Sequence, residues 1–384
     1  HLYTSQDNLM PLVVFRVLSY LQRYGLNEYA GTAIAAIGIM LSGVLEDFQN
    51  GTLVGNKAVQ LADTLPLSSK GATMFRVHSF VFHWTRPLRG QINPLWEAYD
   101  LSMRSGDTEN AGYAVALFNA SRFVTSFPLP LLAADAKTYA SQMKDLKRDK
   151  AYRLILASWQ LFVNLMGREN DEGSDVTLYG SVIDKEDYDS WMKEDRFFAS
   201  LANLLTCYLC TIFGCHEKCA DMAKRLGPFQ YGQAAPGSPY MYIEAVSKGL
   251  SSFAAARSTK NRRYAKIGAE VHHRLRGWVA KGNPNVSHYD ALLSAESAAL
   301  KGEKFIAIEK YGIAVTLSAR SGLTMDAALS SERYGEFLIE LGKIDDAAYR
   351  LNEAIKYYKE VGATRKALAL EEKHRDLWSP PTHI

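Results

Sequence analysis

Small side chains recur forty residues apart on one helix face, and that repeat narrows what the chain can fold into. Ala307, Tyr311 and Ala314 return as Ala347, Leu351 and Ala354, and Gly302 returns as Gly342. Positions three and four apart share a helix face. An alanine there lets a second helix approach closely, and the glycine before it turns the chain with a left-handed backbone. Gly55, Val59 and Ala62 show the same small-large-small spacing near the N-terminus. Units of this kind cannot bury an apolar face alone and must stack on their neighbours. The fold expected is all-α: an α-solenoid, a right-handed superhelix of antiparallel helix pairs.

The rest of the chain agrees with that expectation. Helical periodicity dominates, and runs of β-branched residues with period two are missing. The pattern predicts helices between roughly 8 and 377, among them single helices over roughly 26–48 and 187–213, with boundary errors of about 2–4 residues. One solenoid is expected over 1–384, with sub-blocks 1–168 and 187–384. A polar loop at 169–186 parts them; the acidic stretch Arg168 to Glu186 lacks helical period and reads as surface loop. A second interruption, Gly227 to Pro239, is rich in Gly, Pro and Gln.

Charge and composition exclude several classes. Net charge is +3, too small a field to draw the molecule to nucleic acid or a membrane surface. The apolar run Ala30 to Leu45 is shorter than the roughly 18 residues of a membrane helix, so no span is expected. All four cysteines fall between Cys207 and Cys219, which is no disulfide framework. A cytoplasmic, reducing setting is expected, and the glycosylation triplets at Asn50, Asn119 and Asn285 carry little weight. The chain begins at His1, as expected of a fragment or processed product.

Particular motifs then suggest a family. From Trp278 to Glu372 the chain runs W-x4-NP-x3-H, then KGEKFIAIEKYGIAVTLSARSG, then ERYGEFLIELGKIDDAAYRLNEAIKYYKEVGA. Together with GVLEDFQNG and FVFHWTRPLRGQINPLWEAYDLSMRSGDTENAGYA, this resembles the tetratricopeptide-like region of very large signalling proteins. In those proteins a kinase-like domain and an AAA/STAND-type ATPase precede such a region, and sensor histidine-kinase or cyclase modules follow. The resemblance implies a non-catalytic protein-interaction scaffold whose partner is a protein or peptide, or another domain of the same polypeptide. It implies as an alternative the effector-sensing arm of a STAND-type ATPase, binding a small ligand and restraining a nucleotide switch outside this chain. No enzyme activity and no cofactor are expected. Gly51-Thr-Leu-Val-Gly55-Asn-Lys57 misses the phosphate-loop pattern, since it lacks the adjacent Gly-Lys and the Ser/Thr.

Three clusters are candidates for function. With Ala307 and Ala347 equivalent, Glu296 and Glu336 share one groove-facing position, and Glu332 and Glu340 share their face. Flanked by Leu292 and Ile339, these acids form a candidate partner site for a basic or amphipathic helix; alternatively they pair with cations such as Lys310 or Arg333. Arg262, Arg263, Lys266 and Arg274 form a candidate anion patch, or else a solvated helix face. Cys207, Cys210, Cys215, His216 and Cys219 have the wrong spacing for a zinc knuckle, so packing is expected and no metal. His83, Trp84, Trp278 and His288 are expected as buried joints.

Overall fold

The computed structural model describes residues 10–167 and 174–377. Among the described residues there are nineteen α-helices and no strand. The first eight are α1 (Met10–Tyr24), α2 (Ala30–Ile39), α3 (Phe48–Ala62), α4 (Leu67–Phe80), α5 (Ile92–Arg104), α6 (Thr108–Val124), α7 (Leu129–Asp145) and α8 (Asp149–Met166). Next come α9 (Lys185–Glu194), α10 (Arg196–Ile212), α11 (His216–Leu226), α12 (Gln230–Ala234), α13 (Tyr240–Thr259) and α14 (Arg262–Ala280). The last five are α15 (Ser287–Lys301), α16 (Lys304–Arg320), α17 (Thr324–Glu340), α18 (Ile344–Val361) and α19 (Thr364–Lys373).

Two long helices expected from periodicity are broken. The 187–213 segment parts at Asp195, whose carboxylate accepts from the amides of Phe197 and Phe198, both at 3.0 Å. That is an N-cap, and it starts α10 afresh. The 26–48 segment ends α2 in a π-helical turn, Met40–Val44. The acidic stretch also differs from a surface loop, although residues 168–173 lie outside the described ones. Beyond them Val176, Leu178 and Ile183 are buried. Gln160 accepts from the amides of Val182 and Ile183 (3.0 and 3.2 Å), and Asn164 donates to the carbonyls of Asp175 and Thr177 (3.0 and 2.6 Å). Polar side chains of α8 thus satisfy a backbone that has no helix of its own.

The helices form two layers. α2, α4, α6, α8, α10, α13 and α15 touch in that order, and side chains of α15, α17 and α19 continue the row. α3, α5, α7, α14, α16 and α18 lie outside it, each against an inner neighbour. Burial follows the layers: α13 buries seventeen of its twenty residues, α16 five of seventeen. The repeat alanines Ala307 and Ala347 are fully buried. Gly335 on α17 faces α18 so closely that an added Cβ would lie 2.7 Å from Leu351. Gly302 and Gly342 turn the chain with φ of 78° and 72°, values an L side chain rarely adopts.

The inner row curves round until its later part meets its earlier part. Asn285 donates to the carbonyls of His83 and Arg86 (2.6 and 2.9 Å) and accepts from the Leu88 amide (2.8 Å). One hairpin further on, Ser126 accepts from the Met325 amide at 3.1 Å. One more, and Arg365 donates to Asp175 at 3.2 Å. These partners stand 197, 199 and 190 residues apart, and a second set, Glu46 with Arg274 and Arg89 with Gly322, crosses at 228 and 233. An aromatic cluster anchors the start of this seam. Trp84 stacks on Phe48 at 4.6 Å and meets Trp278 and Tyr242 edge-on at 5.3 and 5.6 Å. Buried His83 lies between the Tyr242 hydroxyl and the Gly237 carbonyl, each at 2.6 Å. His288 is buried too, at 3.2 Å from Asp326. The four expected joints are therefore buried where separate stretches of chain meet.

Candidate functional site

The four glutamates of the first candidate do lie together on the inner row, and cations meet each of them. Glu296 is fully buried; it accepts from Arg333 Nε at 2.7 Å and lies 3.6 Å from Arg257. Glu332 is buried against Lys366 Nζ at 2.6 Å and the Tyr358 hydroxyl at 2.7 Å. Glu336 contacts Arg333 and Lys373. Only Glu340 is exposed, and it meets Arg257 at 3.2 Å. Burial pushes Glu296 and Glu336 up, but Arg333 above all outweighs it and holds both below the usual carboxylate range. Four acids thus face four cations: Arg257, Arg333, Lys366 and Lys373. Of the two partners considered from sequence, Arg333 pairs with the cluster, whereas Lys310 meets Glu309 instead. Leu292 is buried and Ile339 partly so. An open cleft of about 690 Å³ borders the cluster at His216, Arg257, Arg333 and Glu340.

The basic patch divides. Arg262, Arg263 and Lys266 are exposed on the first turns of α14. Arg274 turns away from them, bonds Glu46 at 2.8 Å and lies over the Phe229 ring at 4.2 Å. The cysteines pack among α10, α11 and α13: Cys207, Cys210 and Cys219 are buried, while Cys215 is exposed. Thr211 bridges Ser251 at 2.8 Å and the Ser247 carbonyl at 3.2 Å beside them. Among the described residues no three His, Cys, Asp or Glu side chains are grouped to hold a metal ion.

Sequence reasoning missed a different feature, a half-enclosed cavity of about 480 Å³ in the earlier part of the inner row. α2, α4, α6, α8, α10 and α13 all contribute, through Ile39, Phe75, Leu117, Leu154, Leu201 and Tyr240 among others. Its wall is mostly apolar, with few polar groups. Ser158 and Tyr240 satisfy each other at 3.0 Å. Arg76 reaches in from α4, held by its Nη1 to the Ala72 carbonyl at 2.8 Å and to Asn110 Oδ1 at 3.0 Å. Asn110 is fixed in turn by Asp107, the N-cap of α6, at 2.6 Å. Burial pulls the Arg76 guanidinium below its ordinary value, with Asp107 and Glu109 acting against that. Glu109 lines the same cavity. Among the described residues no carboxylate forms an ion pair with Arg76, and only its Nη1 is hydrogen-bonded. The sole local sign of this site is a cation inside the apolar stretch Ala72 to Phe82; its other walls come from helices far apart in sequence.

No protein-family model matches the chain. It is similar to hybrid signal transduction histidine kinase G of Dictyostelium discoideum, 22% identical over 171 residues. That match covers 44% of this chain but 5% of the larger protein, so the chain spans a small part of the relative's length. Among the described residues no helix is long and apolar enough to cross a membrane.

Proposed function

We propose that this chain is a tetratricopeptide-like solenoid region of a cytoplasmic signalling protein, acting as a non-catalytic scaffold for a protein partner or for another domain of the same polypeptide. One observation carries the proposal: two layers of hairpins, with buried alanines forty residues apart at Ala307 and Ala347. Such packing gives extended surface and, by itself, no chemistry. The partial likeness to a signalling histidine kinase supports the setting. The test is complementation. A parent polypeptide lacking this region should lose regulated output while keeping basal catalysis, and the region added in trans should restore it. Phosphotransfer or nucleotide hydrolysis by the isolated chain would overturn the proposal.

A second reading is favoured by the cavity at Arg76. An effector-sensing arm needs a half-enclosed pocket with a few convergent polar groups, and such sites are typically about 300–1,000 Å³. Here the region would hold a small molecule and pass its occupancy to a switch elsewhere in the polypeptide.

A further inference from the structure

We propose that the cavity between α4, α6, α8 and α10 binds a small amphipathic monoanion, with its carboxylate on Arg76 and its apolar body among Phe75, Leu117, Leu154 and Leu201. The proposal deepens the effector-sensing reading and is independent of whether the outer surface binds a protein.

Three observations converge. First, the cavity has room for a compact ligand, about 480 Å³, and its walls are dominated by aliphatic and aromatic carbon. A mostly apolar wall of this kind favours an apolar body. Second, Arg76 projects into that space, and no carboxylate of the described residues pairs with it. Arg76 is half-buried and forms no ion pair, with Asp107 and Glu109 acting on it only from a distance, and a ligand carboxylate would supply a direct, charge-assisted, two-pronged contact. Third, the guanidinium is already aimed. Nη1 is spent on Ala72 and Asn110, and Asn110 is held by the N-cap Asp107. Nε and Nη2 make no hydrogen bond within the described structure. Preorganisation of this kind lowers the ordering cost of binding.

Glu109 sets the charge limit. Glu109 lines the same cavity, so a dianionic phosphate head would meet repulsion as well as attraction. A single negative charge is the best match. An amine head would instead seek Glu109, and that alternative defines a control.

The test uses the isolated chain and calorimetric titration with octanoate, octanol, octylamine and octyl phosphate. Octanoate should bind at least about tenfold more tightly than the other three. Arg76→Met should remove that preference yet keep octanol binding, and Arg76→Lys should keep part of it. Ala116→Trp, which fills the space, should abolish binding of all four. Far-ultraviolet circular dichroism and melting of each variant separate lost binding from lost folding. Equal affinity for octanoate and octanol, tighter binding of octylamine, unchanged octanoate binding by Arg76→Met, or no binding of any probe would each overturn the proposal. None of these outcomes would bear on complementation by the scaffold.

Discussion

One inner row of helices builds two opposite interiors. Over α2 to α13 it encloses a mostly apolar hollow lined by Arg76 and Glu109, which form no ion pair among the described residues. Over α13 to α19 it encloses a set of buried carboxylates and cations that answer one another, from Glu296 with Arg333 to Glu332 with Lys366. The same backbone geometry therefore leaves a hollow in one half and neutralises its own charges in the other. Charge on an inner wall is no sign of a binding site when its counter-ions come from the next helix. A mostly apolar wall whose guanidinium and carboxylate, Arg76 and Glu109, form no ion pair with each other is the better candidate.

Removing one member of the charged interior should produce the largest effect. Arg333→Ala leaves Glu296 and Glu336 without their main cation. The expected loss is about 3–5 kcal/mol of unfolding free energy, read by urea denaturation. A loss under about 1 kcal/mol would show that the network is solvated and dispensable. The double change Glu332→Gln with Glu336→Gln should likewise lower the melting temperature.

A matched pair of alanine substitutions compares packing in the two halves. Ala347→Leu forces a larger side chain into a closed α17–α18 contact and should cost about 1–3 kcal/mol. Ala116→Leu points at the hollow and should change stability by no more than about 0.5 kcal/mol. Equal costs would mean that the hollow is closed in solution.

Acid should find both halves, through different histidines. Burial lowers His78 from 6.5 to about 4, and burial with Arg333 lowers His216 from 6.5 to about 3. Each is neutral in the fold over a range where the unfolded chain takes up a proton. Stability is thus full above pH 6.5 and falls as pH drops toward those lower values, by up to about 1.4 kcal/mol per pH unit for each histidine. His78→Gln and His216→Gln should each flatten the slope of stability against pH between about 6 and 4. An unchanged slope would mean that neither histidine is buried neutral.

Much of the helical content was legible because a 3.6-residue apolar stripe is a local signal. Ala307 and Ala347 gave the spacing of the last hairpins, and Trp84 and Trp278 read as joints. The break at Asp195 was hidden because its residues continue the apolar period, and only the capping geometry interrupts it. The counter-ions Arg257 and Lys366 were illegible for another reason: each meets its acid across the packing of non-adjacent helices, about which spacing in sequence says nothing. The hollow at Arg76 was hidden likewise, since six helices spread from α2 to α13 wall it and no short motif marks them.

The long sequence separation across the seam changes how such a chain comes apart. An open array of hairpins touches only its neighbours and frays from its ends, one unit at a time. Here Asn285, Met325 and Arg365 tie each later hairpin to one that precedes it by nearly two hundred residues. Closing loops that long makes folding slow, because most of the ordering comes before the contacts that reward it. Once closed, the hairpins that carry Asn285, Met325 and Arg365 cannot leave without opening the seam. The molecule behaves less like a stack of coins than like a laced boot, in which loosening any one eyelet strains the rest.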